Sequence, residues 1–179
     1  ASQAFATALD LAKDRHRLME SIINRSRQSP LTISQLLRSL EGSTTNQDQT
    51  VQNQLIYLHL LANRDIDTMV EVIRNRRQLD PADVYLRFLD ALAHNKRGQF
   101  TQAARMLVPL PRYRWHQGEA AVIASIVAAD GNYDRSAALL GQIDVTKLFP
   151  EEQSLVTPWQ QRSTNGGQML SNVSDDVEQ

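Results

Sequence analysis

The chain has 179 residues, 41% of them apolar, and a formal net charge of −1, which suits one or two domains or a short helical array and sets up no global field for nucleic acid or acidic membranes. It has no cysteine, so disulfides, thiolate metal sites and thiol catalysis are excluded together. No run approaches the roughly 20 consecutive apolar residues of a membrane span.

Strand signals are nearly absent and helical spacing dominates. Phe5, Ala8, Ala12, Met19, Ile22 and Ile23 follow three- and four-residue steps, which predicts one long amphipathic helix over about residues 3–27. Charge here leans basic, with Lys13, Arg15, Arg17, Arg25, Arg27 and Arg38 against Asp10, Asp14 and Glu20. Ser29-Pro30 interrupts the helix. Ile33, Leu36, Leu37 and Leu40 predict a short helix ending near Gly42, and the polar stretch 43–49 reads as a linker. The first 49 residues thus read as N-terminal helices or as a degenerate first repeat.

From there a period is visible. Ile66, Met69 and Ile73 are spaced three and four apart, as are Phe100, Ala103 and Leu107, and Tyr133, Ser136 and Leu140 follow. Stepping back from Ile66 reaches Ile33, with Leu36 and Leu40 behind it, so four helices share one pattern at intervals of 33, 34 and 33. The helices before them repeat too, at Tyr57 and Leu60, Ala91 and His94, and Ala124 and Val127. A fixed period of this size marks a stacked helical array.

Over residues 50–149 the chain resembles the tetratricopeptide repeat (TPR) family. The second hairpin carries Ala91 at the small position of its first helix, Gly98-Gln99-Phe100 at the turn and Ala103 at the small position of its second helix. The third has Ala124, Gly131-Asn132-Tyr133, Ser136 and Ala137. Small residues there let helices cross at about 8–10 Å. The first hairpin departs from the pattern, with Tyr57 at the small position and Arg64-Asp65 in place of the glycine, although Pro81 stands where the family often ends its second helix. The resemblance implies an all-α fold: a right-handed stack of antiparallel helix hairpins, an α-solenoid, behind a long N-terminal helix. Residues 150–162 read as a capping helix over Leu140 and Leu148. Residues 163–179, with Gly166-Gly167 and acidic Asp175, Asp176 and Glu178, read as a disordered tail.

Chemistry is hard to find. His16, His59, His94 and His116 form no metal-ligand spacing; His59 and His94 fall on neighbouring helices, but two imidazoles do not make a typical site. Glycine-rich phosphate loops and nucleophile elbows are missing. The carboxylate pairs Glu151-Glu152 and Asp175-Asp176 are adjacent and do not face one another across a cleft. The chain is therefore expected to be no enzyme and to need no cofactor or metal. Asn24-Arg25-Ser26 and Asn172-Val173-Ser174 match a glycosylation pattern by chance. The chain starts at Ala1, as a processed or excised domain does, and its compartment stays open.

In TPR arrays the first helices line a concave groove. The resemblance carries this groove onto Val51, Gln54, Leu58 and Leu61, then Tyr85, Phe88, Leu92 and Asn95, and finally Gly118, Ala121, Ser125 and Ala128. The family's clamp for C-terminal carboxylates is not reproduced, since Gln54, Leu58, Leu89, Gly118 and Val122 occupy its positions. An apolar groove fits a partner helix or peptide, a second copy of the chain, or the chain's own N-terminal helix. The expected function is a scaffold or adaptor that binds another protein or assembles with itself. The alternative is RNA binding. Arginine outnumbers lysine 16 to 3, and Arg74, Arg76, Arg77, Arg112 and Arg114 cluster, the last two beside Tyr113 and Trp115. Helix-end charge and turn packing account for the same residues.

Overall fold

The structure, a computed structural model, describes residues 14–29, 31–40, 48–108 and 115–171, with the backbone alone for His16 and for 161–171. Among these residues every regular element is helical. They are α1 (Arg15–Arg27), α2 (Ile33–Leu40), α3 (Gln49–Leu61), α4 (Ile66–Leu79), α5 (Val84–Lys96), α6 (Phe100–Leu107), α7 (Gln117–Ala129), α8 (Tyr133–Leu140), a 3-10 turn at Val145–Lys147 and α9 (Pro150–Ser171). No helix among the described residues is long and apolar enough to cross a membrane.

Ile33, Ile66, Phe100 and Tyr133 are each the first residue of a helix. The period in the sequence is therefore a period of helix starts. Three of the long helices are opened by a carboxylate taking up orphan N–H groups, the usual N-cap role of aspartate. Asp14 accepts from Arg17 N at 3.1 Å. Asp48 accepts from Thr50 N and Val51 N at 2.9 and 3.1 Å. Asp83 accepts from Tyr85 N and Leu86 N at 2.7 and 3.0 Å. The Asp14 cap also corrects the expected helix over 3–27. Its backbone is non-helical (φ −118°, ψ 81°) and α1 begins behind it. Residues 1–13 lie outside the described residues.

The turns explain why one hairpin looked degenerate. After α5 and α7, Gly98 and Gly131 take φ of +74° and +91°, a region open to glycine. The next N–H then bonds back into the helix, Gln99 N to His94 O at 2.9 Å and Asn132 N to Val127 O at 3.1 Å, the closure of a Schellman cap. After α3 the same closure runs from Arg64 N to His59 O at 2.9 Å. There Asn63 and Asp65 adopt φ of 54° and 52°, which these two residue types tolerate best after glycine. The turn is one residue longer and needs no glycine.

Packing follows the order of the chain. Hairpin partners α3 and α4, α5 and α6, and α7 and α8 touch. The first helices α3, α5 and α7 lie side by side, and α4 and α6 each also touch the next first helix. At the other end α2 leans on α3, and α9 packs on both α7 and α8. Ala91, Ala103 and Ala124 are fully buried, and Ser136 donates its hydroxyl to Ala124 O at 2.9 Å. Leu140, Leu148 and Val156 bury together against Ala121 and Ala124, with Trp159 alongside. The helix that covers them continues past the expected end at residue 162 to Ser171. Once its first turns are held by packing, each further residue adds one hydrogen bond for one residue ordered. Residues 172–179 of the expected tail lie outside the described residues.

Two substitutions test this packing. Ala103 has no exposed surface, so Ala103→Leu should overpack its surroundings and cost about 1–3 kcal/mol in a urea melt. Phe88 is also fully buried and stands 5.9, 5.5 and 5.0 Å, between ring centroids, from Tyr57, Tyr85 and Trp115. Phe88→Ala should cost about 3–5 kcal/mol; a loss near zero would place Phe88 on an open surface.

Candidate functional site

The groove residues carried over from the resemblance are mostly core. Val51, Leu58, Phe88 and Leu92 have no exposure, Leu61 has 2%, and Gln54 is buried; Tyr85 and Asn95 are partly covered. What covers them is the chain itself. Met19, Ile22 and Ile23 of α1 and Phe149 before α9 belong to the same apolar cluster as Val51, Leu58 and Phe88. Glu20 of α1 lies 3.5 Å from His116 at the start of α7. A small cavity of about 10 Å³ is lined by Asn24 and Arg27 of α1, Gln54 of α3 and Glu119 of α7. An open groove through Val51, Gln54, Leu58, Leu61, Tyr85, Phe88, Leu92 and Asn95 is therefore corrected to an interior face. The physical reason is that the chain supplies its own apolar cover: α1 packs on α3, and Tyr85 and Trp115 pack on Phe88.

At the middle of this interior is a polar centre. Glu152 has no exposed surface. Arg27 donates to both its oxygens, from Nη2 to Oε1 at 2.8 Å and from Nε to Oε2 at 3.3 Å. Tyr57 Oη donates to Oε1 at 2.8 Å and Phe149 N donates to Oε2 at 2.9 Å. The Arg27 guanidinium also lies 5.2 Å from the Phe149 ring centroid. The adjacent Glu151 reaches a different element and accepts from Ile33 N, the first N–H of α2, at 3.0 Å. One turn of α9 thus holds the end of α1 and the start of α2. Gly118 makes the approach possible: a Cβ there would stand 2.0 Å from Glu152 Oε1 and 2.4 Å from Arg27 Nη2.

A second carboxylate sits beside the first. Glu119 is buried and accepts from Tyr85 Oη and from His116 N, each at 2.8 Å. Burial raises its pKa, and the Tyr85 hydroxyl bond pulls it part of the way back. Burial, and then the charge of Glu152, push the Tyr57 hydroxyl well above its ordinary value, which keeps it a donor. Burial works against the charge on Arg27, but the charge of Glu152 and its hydrogen bond outweigh it and hold the guanidinium protonated. Arg27, Tyr57, Glu119 and Glu152 are each satisfied by neighbours in fixed positions, which is a structural arrangement, while Glu151 Oε2 is buried without a hydrogen-bond partner.

The basic residues separate. Arg74 is exposed, Arg76 donates to Gln49 O at 3.3 Å and Arg77 pairs with Asp90. Arg112 and Arg114 lie outside the described residues. His59 stands 3.6 Å from Asp65, and His94 stands 3.6 Å from Asp90 beside Gln99 and Gln102. Sequence reasoning missed Arg27, Gly118, Glu119 and Glu152. Glu151-Glu152 directly after Phe149-Pro150 reads as an ordinary acidic helix start, which the macrodipole accounts for, so the sequence carried no signal of the buried pair. No family model, curated protein or solved structure matches the chain.

Two predictions follow from this geometry. Glu152→Ala leaves Arg27 buried without its partner and should cost about 3–5 kcal/mol in a urea melt. Gly118→Ala should also destabilise, although alanine is about 1 kcal/mol better than glycine in a helix. With Arg27→Ala and Glu152→Ala both already present neither colliding group remains, and Gly118→Ala should become neutral or stabilising; equal losses in both backgrounds would contradict the contact. The second prediction concerns Glu119. Its raised pKa means that its contribution to stability is fully present below the unfolded value and is lost as pH rises through the folded one. Carbon-13 titration should place its midpoint above the ordinary glutamate range, and Tyr85→Phe should move it higher still. A midpoint at or below that range would refute the buried placement.

Proposed function

We propose that the chain is a TPR-like helical-repeat module, a right-handed stack of hairpins that serves as a scaffold or adaptor by binding another protein. Support for the stack comes from helix starts at Ile33, Ile66, Phe100 and Tyr133, the small residues Ala91, Ala103 and Ala124, and the neighbour-to-neighbour order of helix contacts. Because the concave residues are interior, the binding face is placed on the outside of α1. The observation that carries it is a cleft of about 360 Å³ with Leu18, Ile22 and Leu31 as its apolar surface and Ser21, Arg25 and Ser29 around them. An apolar cleft bordered by polar side chains suits an amphipathic helix or an extended apolar peptide.

Site-directed photo-crosslinking tests this. A photoreactive phenylalanine analogue is placed at Ser21, with Thr101, exposed on α6, as the control. In lysate of the producing cells, Ser21 should yield a discrete polypeptide adduct and Thr101 none, and Leu18→Asp should abolish it. An adduct of twice the chain mass identifies the partner as a second copy. No adduct, equal adducts from both positions, or an adduct removed by ribonuclease contradicts the proposal.

A further inference from the structure

Between α4, α5 and the start of α6 lies a cleft of about 370 Å³ that is separate from the Arg27–Glu152 centre and borders the core at Val70. Arg74 and Arg77 from α4, Arg97 after α5 and Gln102 from α6 supply donors to its walls, with His94 beside them. Three guanidinium charges line it against the carboxylate of Asp90 in its wall and that of Asp67 on Arg97, which leaves one positive charge in excess in a chain of net charge −1. Asp90 is itself paired with Arg77, and Arg97 pairs with Asp67. Arg74 is exposed and pairs with no carboxylate among the described residues. The Arg77 Nε is buried with no acceptor, an unfavourable state for an N–H donor. The cleft therefore holds more donors than the protein satisfies, while Val70 gives it one apolar wall.

We propose that this cleft binds the phosphate group of a small ligand, a phosphomonoester or diphosphate, through Arg74 and Arg97, with the rest of the ligand against Val70. The guanidinium fork matches two oxygens of a tetrahedral oxyanion at once. The volume suits a small organic phosphate. A single concave site, with no run of exposed aromatic side chains along it, favours a compact phosphate over an RNA strand, which needs a charged track and stacking platforms. The proposal rests on residues separate from the α1 cleft, so either can fail alone.

The test is a nitrogen-15 NMR titration of the arginine side chains with inorganic pyrophosphate and, separately, with adenosine monophosphate. Both should shift Arg74, Arg97 and His94 saturably, and affinity should fall as salt rises. Arg74→Gln combined with Arg97→Gln should weaken binding by at least about tenfold while the melting temperature shows that the fold is kept. Absence of saturation, unchanged affinity in the variant, or equal binding by a tetraglutamate peptide overturns the assignment. So does binding of a short RNA whose shifts spread over the whole surface while pyrophosphate produces none.

Discussion

The ion pair between Arg27 and Glu152 joins residues 125 positions apart, and the rest of the structure is arranged around it. Burying two charges is unfavourable unless each is matched in geometry and every remaining lone pair finds a donor. Here the fork of Arg27, the Tyr57 hydroxyl and the Phe149 N–H together satisfy Glu152. Each donor comes from a different part of the chain, so the set exists only when α1, α3 and the start of α9 are all in place. Gly118 is a consequence of the same constraint, because α7 must come close enough that a methyl group would collide with the carboxylate. Removing one partner of such a pair is costly, whereas replacing the whole pair by well-packed apolar side chains is often neutral, so the expected role of the pair is to select this arrangement more than to add net stability.

The pair changes what the helical array presents to solvent. In a stack of hairpins that only meet their neighbours, the first helices would leave an apolar concave face. Here α1 and Phe149 join the cluster that holds Leu58 and Phe88, and Glu151 ties the first N–H of α2 to the same turn of α9. The two ends of the described chain are thereby fastened together. Among the described residues the surface keeps an apolar cleft beside α1 and an arginine-lined cleft between α4 and α6.

The helices were legible in the sequence because each hairpin solves the same local problem with the same spacing. Ile33, Ile66, Phe100 and Tyr133 recur because a helix starts at each, and Ala91, Ala103 and Ala124 are small and fully buried, with Ser136 of α8 bonded to Ala124 O. Gly98 and Gly131 announced their turns; Asn63 and Asp65 did not, since polar residues with positive φ resemble any others in a sequence. The interior centre was not legible for a different reason. Arg27 reads as an ordinary basic residue near a helix end, and Glu151-Glu152 as an ordinary acidic helix start. Only the three-dimensional return of α9 to α1 turns them into a buried pair, and no periodicity encodes a contact made once. The occupant of the apolar face stayed open between a partner, a second copy and the chain's own N-terminal helix for the same reason, because Leu58, Phe88 and Leu92 display a hydrophobic face without saying which part of the chain covers it.

Amide hydrogen exchange at Phe149 tests the closure most directly. This N–H precedes α9 and donates to the buried Glu152, with no helical partner to protect it. If α1 and α9 are locked together, it should exchange only by global unfolding, with the same free energy as core amides such as that of Leu58. Exchange as fast as that of the exposed first-turn amide of Thr101 would show that the two ends separate in the native state, and would contradict the closed interior on which the placement of every other surface depends.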